Sequence, residues 1–300
     1  MQSFSRRVMT IAAILIAPMA LGQTDYDKVE IESTAVSGGV YMLTGAGGNI
    51  GVFTSEQGVF MIDDQFAPLT DKIKAAVSQL SDQPLRYLVN THWHFDHTGG
   101  NENIGKGGVV IVAHDNVRKR MSRDEFIEAY KLDVPAAPAV ALPVVTFNSQ
   151  MTFHFGGETI HVHHSPHAHT DGDSFIYFEN ANAIHTGDLF FNKIYPFIDT
   201  GSGGGIQGMM QAVKNVLTIA NDDTRIIPGH GPLATKADLQ EYLVMLEAAH
   251  DRVNAALNTR LTVSQLVFQK PMKDFDEKWG KGFMSPEQFI RIVYSDLANK

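Results

Sequence analysis

Residues 92 to 97 read His-Trp-His-Phe-Asp-His. Three imidazoles and a carboxylate fall directly after the apolar run Arg86-Tyr87-Leu88-Val89-Asn90-Thr91 and directly before Thr98-Gly99-Gly100. This layout reads as a strand running into a turn. Period-2 alternation at a strand end sends His92 and His94 to the same side. The turn brings Asp96 and His97 to the neighbouring space. Imidazole nitrogen and carboxylate oxygen are the donors that borderline divalent ions such as zinc prefer.

Three further donors lie downstream in similar settings. His169 stands in Ser-Pro-His-Ala-His-Thr-Asp-Gly-Asp, before the apolar strand 174–178. Asp188 stands in His-Thr-Gly-Asp, soon after Ala183-Ile184, and His230 in Ile-Ile-Pro-Gly-His-Gly. Each is a metal-capable side chain at a strand end flanked by glycine, where α/β proteins build sites on loops carried by a rigid scaffold.

The rest of the chain fits such a scaffold. Short strands joined by Gly-rich turns are expected over 36–44, 51–54 and 59–63. Ile73, Ala76, Val77 and Leu80 recur at helical spacing, so 70–81 reads as an amphipathic helix. Further strands are expected at 85–90 and 109–113, with Asp115 capping a following helix. Ser122-Arg-Asp-Glu125 has the form of a capping box and predicts a second helix. The Pro- and Ala-rich residues 133–146 read as a surface loop, 144–178 as strand-rich, 225–228 as a last buried strand. Met210, Val213, Val216, Leu217 and Ala220 mark a helix before it. Beyond 234 the pattern turns helical, with Ser285-Pro286-Glu287-Gln288 a strong helix start. Strands then helices, in two successive passes, indicate an α/β architecture with helices outside the sheets.

Composition sets the class. Three hundred residues, 44% of them hydrophobic, allow a large core. Residues 1–22 read as a signal peptide: Arg6 and Arg7 precede an apolar stretch, Val8 to Leu21, and Ala20 and Gly22 suit a cleavage site. That stretch is shorter than the ~20 residues a membrane span needs, so no stable anchor is expected after cleavage. A periplasmic or secreted location follows, and Ser5-Arg6-Arg7 is similar to the start of a twin-arginine signal. The chain has no cysteine, which excludes thiolate catalysis and thiolate ligands. Without the leader, 22 basic residues face 33 acidic ones. An acidic exported chain without a basic tract is a poor nucleic-acid binder.

At this point the segments resemble the metallo-β-lactamase superfamily: HxHxDH, then His in a His-Thr-Asp-Gly-Asp context, then Asp after Thr-Gly, then His in Pro-Gly-His-Gly, in order across residues 36–234. The resemblance implies a four-layer αβ/βα sandwich over residues 23–234, with 235–300 a C-terminal helical extension packed on it. It implies a dinuclear site at one edge of the sheets, with two zinc ions per chain. An all-His/Asp site also accepts iron or manganese. His92, His94 and His169 would hold the first ion, and Asp96, His97 and His230 the second. Asp188 would bridge them. Asp63 would support the site from behind; His185, near Asp188 in sequence, is read either as a hydrogen-bonding support or as a packing residue. Two cations about 3.5–4 Å apart can share a hydroxide that is nucleophilic at neutral pH, and Asp96 is the catalytic carboxylate of the set.

The substrate cues pull in two directions. His97 with Asp188 resembles the glyoxalase-II-like ligand pattern of thioester hydrolases. The β-lactamases proper often carry Cys or Ser at the Asp188 position, and several place Lys three residues later, where this chain has Phe191. An export signal favours β-lactams, which act outside the cytoplasm. Hydrolysis of an acyl bond of a small molecule is expected, with β-lactam the leading named activity, a thioester or lactone the alternative, and a non-catalytic metal-binding accessory protein the competing class. The loop 190–205 reads as one pocket wall, with Trp93, Phe191, Lys193 and Tyr195 as candidate substrate contacts. The turn 45–49 reads as approaching from the other side. The remaining histidines, among them His114, His154, His161, His163, His164, His167 and His250, read as structural or surface residues.

Overall fold

The computed structural model describes residues 24–299; the leader expected over residues 1–22 lies outside them. Two sheets carry the fold, and in each the spatial order of strands equals their order along the chain. The first has seven strands, Glu32–Ser37, Val40–Thr44, Ile50–Ser55, Gly58–Ile62, Leu85–Val89, Val110–His114 and Val145–Phe147. The second has six: Gln150–Phe155, Glu158–His164, Ser174–Phe178, Ala183–His185, Arg225–Ile227 and Ala234–Thr235. Each sheet begins as an antiparallel meander and turns parallel where a helix enters the connection. Gly58–Ile62 pairs parallel with Leu85–Val89 across the helix Thr70–Leu80, and Ala183–His185 parallel with Arg225–Ile227 across the helix Ile206–Ile219. Helical crossovers are what parallel neighbours require.

Side-chain alternation sorts the apolar residues into three cores. In Gly58–Ile62, Phe60 and Ile62 point inward between the sheets, while Val59 and Met61 point outward. The neighbouring strands repeat this, with Val89 and Val112 inward and Leu88 and Ile111 outward. From the second sheet, Ile160, Val162, Ile176, Phe178 and Ile227 meet the inward set. The outward residues of the first sheet pack with Leu69, Ile73, Val77 and Ile104 of its helical side. Those of the second sheet, Phe175, Ile184 and Ile226, pack with Val213, Val216, Tyr242 and Phe289. Three apolar interfaces separate four layers, the αβ/βα sandwich. Burying a side chain such as Phe60 contributes roughly 1.5–3 kcal/mol, so this alternation fixes both the pairing register and the faces.

The C-terminal helices share the third core. Leu239, Tyr242, Leu246 and Val253 of the helix Lys236–Asn258, with Phe289 and Val293 of the helix Pro286–Ala298, are buried together with second-sheet residues. Thr235 and Ser285 start these two helices with capping boxes. Among the described residues no helix is long and apolar enough to cross a membrane.

Two local expectations fail. Asp115 does not cap the helix Asp115–Met121; His114 does, its Nδ1 accepting the Asn116 N–H at 3.2 Å. The helix expected from Ser122 is instead a hairpin of Glu125–Ile127 and Leu132–Val134. Asp124 Oδ1 accepts the Ala136 N–H at 2.9 Å, tying the two ends of the hairpin, and Glu125 is taken by Arg120 and Arg123. The side chains that would have capped a helix are engaged with the chain before the hairpin instead, Ser122 donating to the Lys119 carbonyl at 2.8 Å and Glu125 paired with Arg120 and Arg123.

Candidate metal centre

The strand Leu85–Val89 ends three residues before His92, so His92 and His94 sit in the loop beyond it. His94 then opens the helical turn Phe95–Thr98, whose backbone N–H groups at His97 and Thr98 return to the His94 carbonyl at 3.0 and 3.1 Å. This turn carries Asp96 and His97 back toward His92. The second sheet delivers the rest from loops at its own strand ends: His169 before Ser174–Phe178, Asp188 after Ala183–His185, His230 after Arg225–Ile227.

All seven side chains converge. His169 Nε2 lies 2.8 Å from His94 Nδ1, and His92 joins them in one buried group of potential ligand atoms. Asp96, His97 and His230 form another: Asp96 Oδ2 is 3.3 Å from His230 Nε2 and 3.6 Å from His97 Nε2, and the two imidazoles approach to 3.4 Å. Asp188 lies between. Its Oδ2 is 3.8 Å from His92 Nε2 and 3.4 Å from both His169 Nε2 and His230 Nε2, while its Oδ1 is 3.1 Å from His97 Nε2.

This donor set fits divalent cations. Metal–nitrogen bonds of about 2.0–2.1 Å in tetrahedral geometry place ligand atoms about 3.3 Å apart, the spacing seen here. His92 Nε2 and Asp188 Oδ1 are buried without a hydrogen-bond partner, and a buried polar atom left so is costly unless something else satisfies it. His92, His94 and His169 would hold one ion, Asp96, His97 and His230 a second, with Asp188 reaching both.

The opposite ring nitrogens are all engaged on four of these histidines. His97 Nδ1 lies 2.7 Å from Asp63 Oδ2 and must donate, since a carboxylate only accepts. Asp63 also accepts the Thr91 N–H at 2.8 Å and the Thr91 hydroxyl at 2.7 Å. With its proton so committed, Thr91 Oγ1 accepts from His92 Nδ1 at 3.0 Å. His169 Nδ1 donates to the Phe197 carbonyl at 2.8 Å, and His94 Nε2 to Asp199 Oδ2 at 3.0 Å. Each partner fixes a tautomer and turns the free nitrogen inward. Asp63 holds its place with φ at +60°, a conformation costing of order 1–3 kcal/mol for a residue with a side chain.

Charge is distributed unequally. Burial, aided by His97, holds His92 well below the ordinary imidazole range, and burial lowers His169 to about 4. These stay neutral, the form that binds metal. Burial also disfavours charge on His97 and His230, but Asp188 and Asp96 outweigh it, raising His97 well above its ordinary value and His230 to about 9. Burial would raise the two carboxyls, yet His230 and His97 pull Asp188 well down, and His97 and His230 bring Asp96 to about 2. The second cluster is built to attract positive charge.

Two glycine-bearing segments close in from the sides. A Cβ on Gly48 would lie 2.1 Å from the His97 ring, and one on Gly229 would lie 2.0 Å from Asp188 Oδ1. Asn49 links these segments, its side chain donating to the Pro228 and Gly231 carbonyls at 2.9 Å each. His185 lies behind, bonded through Nε2 to the Asn49 carbonyl at 3.0 Å and accepting the Gly187 N–H at 3.1 Å, which shapes the turn into Asp188.

The four candidate substrate contacts are placed differently. Tyr195 is corrected: it is fully buried, its hydroxyl donates to Asp276 at 2.9 Å and its ring stacks on Phe289, because the C-terminal helices cover it. Trp93 is 3% exposed and belongs to the core beneath His94. Phe191 is fully buried and lies flat against His230, centroids 5.3 Å apart at 10°, backing that ligand. Lys193 is exposed and close enough to Asp238 to lower its pKa. Asp199 and Thr91 were missed as supports, since neither carries a spacing signal. Phe283, centroid 5.6 Å from His230, was missed because it lies in the C-terminal extension.

Known proteins share this architecture. The model of the metallo-beta-lactamase superfamily matches residues 43–230. A hydroxyacylglutathione hydrolase of Pelagibacter ubique (strain HTCC1062) is 27% identical over 191 residues, covering 63% of this chain and 67% of that protein. A probable hydroxyacylglutathione hydrolase of Schizosaccharomyces pombe is 28% identical over 153 residues, 49% of this chain and 48% of that one. Among solved structures, a metallo-beta-lactamase from Pontibacter korlensis shares the fold with TM-score 0.60 and 21% identity, over 73% of this chain and 99% of that one. A sec-alkylsulfatase from Pseudomonas sp. gives TM-score 0.66 at 17% identity, over 88% of this chain but 50% of its own. The chain belongs to the metallo-beta-lactamase superfamily and is a metal-dependent hydrolase.

Proposed function

We propose that this chain is an exported dinuclear hydrolase, most simply with zinc, that cleaves an acyl bond of a small molecule. The observation that carries this is Asp188, whose two oxygens lie 3.1–3.8 Å from imidazole nitrogens of both clusters. When bound, two cations supply water that ionises near neutral pH and polarise a substrate carbonyl. The chain's own residues do the rest. Asp63, Thr91, Asp199 and the Phe197 carbonyl orient the imidazoles. Asp96 and Asp188 offset part of the positive charge. Trp93, Phe191 and Phe197 pack behind the rings of His94, His230 and His169, which keeps water from their outer faces.

Two substrate types are favoured by separate observations. The basic and apolar leader, Arg6 to Leu21, favours β-lactams, which are met outside the cytoplasm. The relatives named hydroxyacylglutathione hydrolase favour a thioester. The test is elemental analysis of protein recovered from its native compartment, paired with turnover of β-lactams, lactones and thioesters. Two metals per chain and turnover of one class are expected. Metal-loaded protein inert toward the whole panel would instead support a metal-binding accessory role.

A further inference from the structure

The residues between Trp279 and the helix Pro286–Ala298 lie beyond the family match, which ends at 230, yet they reach the metal cluster. The Phe283 ring lies 5.6 Å from that of His230, at 64°, and 6.0 Å from that of Phe191. Phe191 is fully buried, but Phe283 is 45% exposed. A phenyl ring therefore stands half in water beside a metal-ligand candidate that is itself partly open to solvent.

Its surroundings hold it there. Trp279 and Met284 on either side are each 2% exposed. The Trp279 carbonyl accepts the Tyr195 N–H at 2.9 Å. Gly282 packs so closely on Ile194 that a Cβ would meet Ile194 Cγ2 at 2.3 Å. Ser285 then starts the next helix with its capping box. An exposed apolar ring between such anchors loses little freedom when a ligand covers it, which is the favourable case for binding.

Asp96, 23% exposed and 3.3 Å from His230, is the most open of the seven side chains in the cluster. Lys193 lies near enough to Asp238 to lower its pKa, and Lys281 stands exposed two residues before Phe283. We infer that Phe283 is a specificity-determining wall of this site, selecting substrates that carry an apolar chain or ring next to the scissile acyl bond. This rests on the acyl-hydrolase reading above.

The test uses zinc-loaded full-length protein and the variants Phe283→Ala and Phe283→Leu, with metal content measured on each sample. Calorimetric binding of acetate and hexanoate reads the wall without turnover. Hydrolysis of thioesters of the same two acids reads it in catalysis. Partial burial of the longer chain should make hexanoate bind at least about tenfold tighter than acetate. Phe283→Ala should cut that ratio to below about threefold, and Phe283→Leu should keep most of it. An unchanged ratio in Phe283→Ala with both metals retained overturns the proposal. Preferential hexanoate binding lost in Phe283→Ala, without turnover of any acyl substrate, would uphold the wall and reject the acyl-hydrolase reading. Turnover with a chain-length preference indifferent to Phe283 would do the reverse.

Discussion

Asp199 Oδ2 lies 3.0 Å from His94 Nε2, and this contact decides which nitrogen of His94 faces inward. Asp199 is itself fixed: its carboxylate accepts the Ser202 N–H at 3.1 Å and its own N–H donates to the His169 carbonyl at 2.9 Å. The His94 imidazole outweighs burial and brings this carboxyl down to about 2. One residue of the loop beyond Asp188 thus touches two members of the first cluster.

Replacing Asp199 with Ala should weaken metal binding at the first site by about 10–100-fold, the usual cost of losing a carboxylate behind a ligand histidine. Asp199→Asn should cost less, because an amide oxygen still accepts. Competition with a chromophoric chelator measures both, and equal affinity in Asp199→Ala and the parent would refute the role.

Asp63→Ala should act on both sites together. It removes the acceptor for His97 directly and the anchor for His92 through Thr91. It also leaves the buried Thr91 N–H without its partner. A loss of about 3 kcal/mol is expected from the stranded donors, read as a lower midpoint in urea for metal-free protein. A variant as stable as the parent would show that these bonds are replaceable.

In chelator, stability should peak near neutral pH. His230 has its pKa raised to about 9, so its contribution is complete below the unfolded value near 6.5 and is lost as pH climbs toward 9. His169 is lowered to about 4, so the unfolded chain takes up its proton first and stability falls as pH drops from about 6.5 toward 4. Melting temperatures at pH 5, 6.5 and 9 test this. Metal uptake must displace the proton on His230, so apparent affinity should climb with pH up to about 9. A flat profile over that range would contradict the charge distribution described.

Gly229→Ala should reduce activity by about a hundredfold or more, because its methyl would sit 2.0 Å from Asp188 Oδ1 and 2.6 Å from the Gly187 backbone, displacing the turn that carries Asp188, and a misplacement of about 1 Å can cost that much. Gly48→Ala should do the same through His97. Far-ultraviolet circular dichroism and metal content separate a displaced ligand from a misfolded chain. Full activity in either variant would mean that the neighbouring segment yields freely.

The candidate ligands that converge in the fold were legible because each sits at the end of an apolar strand with glycine beside it, a local pattern. The alternation of Val59, Phe60, Met61 and Ile62 was equally legible, since one strand feeding two cores needs apolar residues on both faces. What escaped was long-range. Asp199 lies 105 residues from His94, and nothing beside it in sequence announces the pairing. Tyr195 resembled a pocket residue until the helix bearing Phe289 covered it. The Ser122 segment carried a true capping pattern, but Asp124 found a partner across a hairpin and Glu125 paired with Arg120 and Arg123 instead. Local chemistry proposes an element, and distant partners can overrule it.

The division of the donors between two sheets has a mechanical consequence. His94 and His169 are 75 residues apart in sequence, and His97 and His230 are 133 apart. A cation joining either pair is a cross-link closing a long loop, in a chain without a single cysteine to form any other kind. The entropy removed from the unfolded chain by such a link grows with loop length. Starvation for metal would thus do more than silence the enzyme: the two sheets would stay joined by the core between them, while the loops around His169 and His230 would lose their tether and open to proteases.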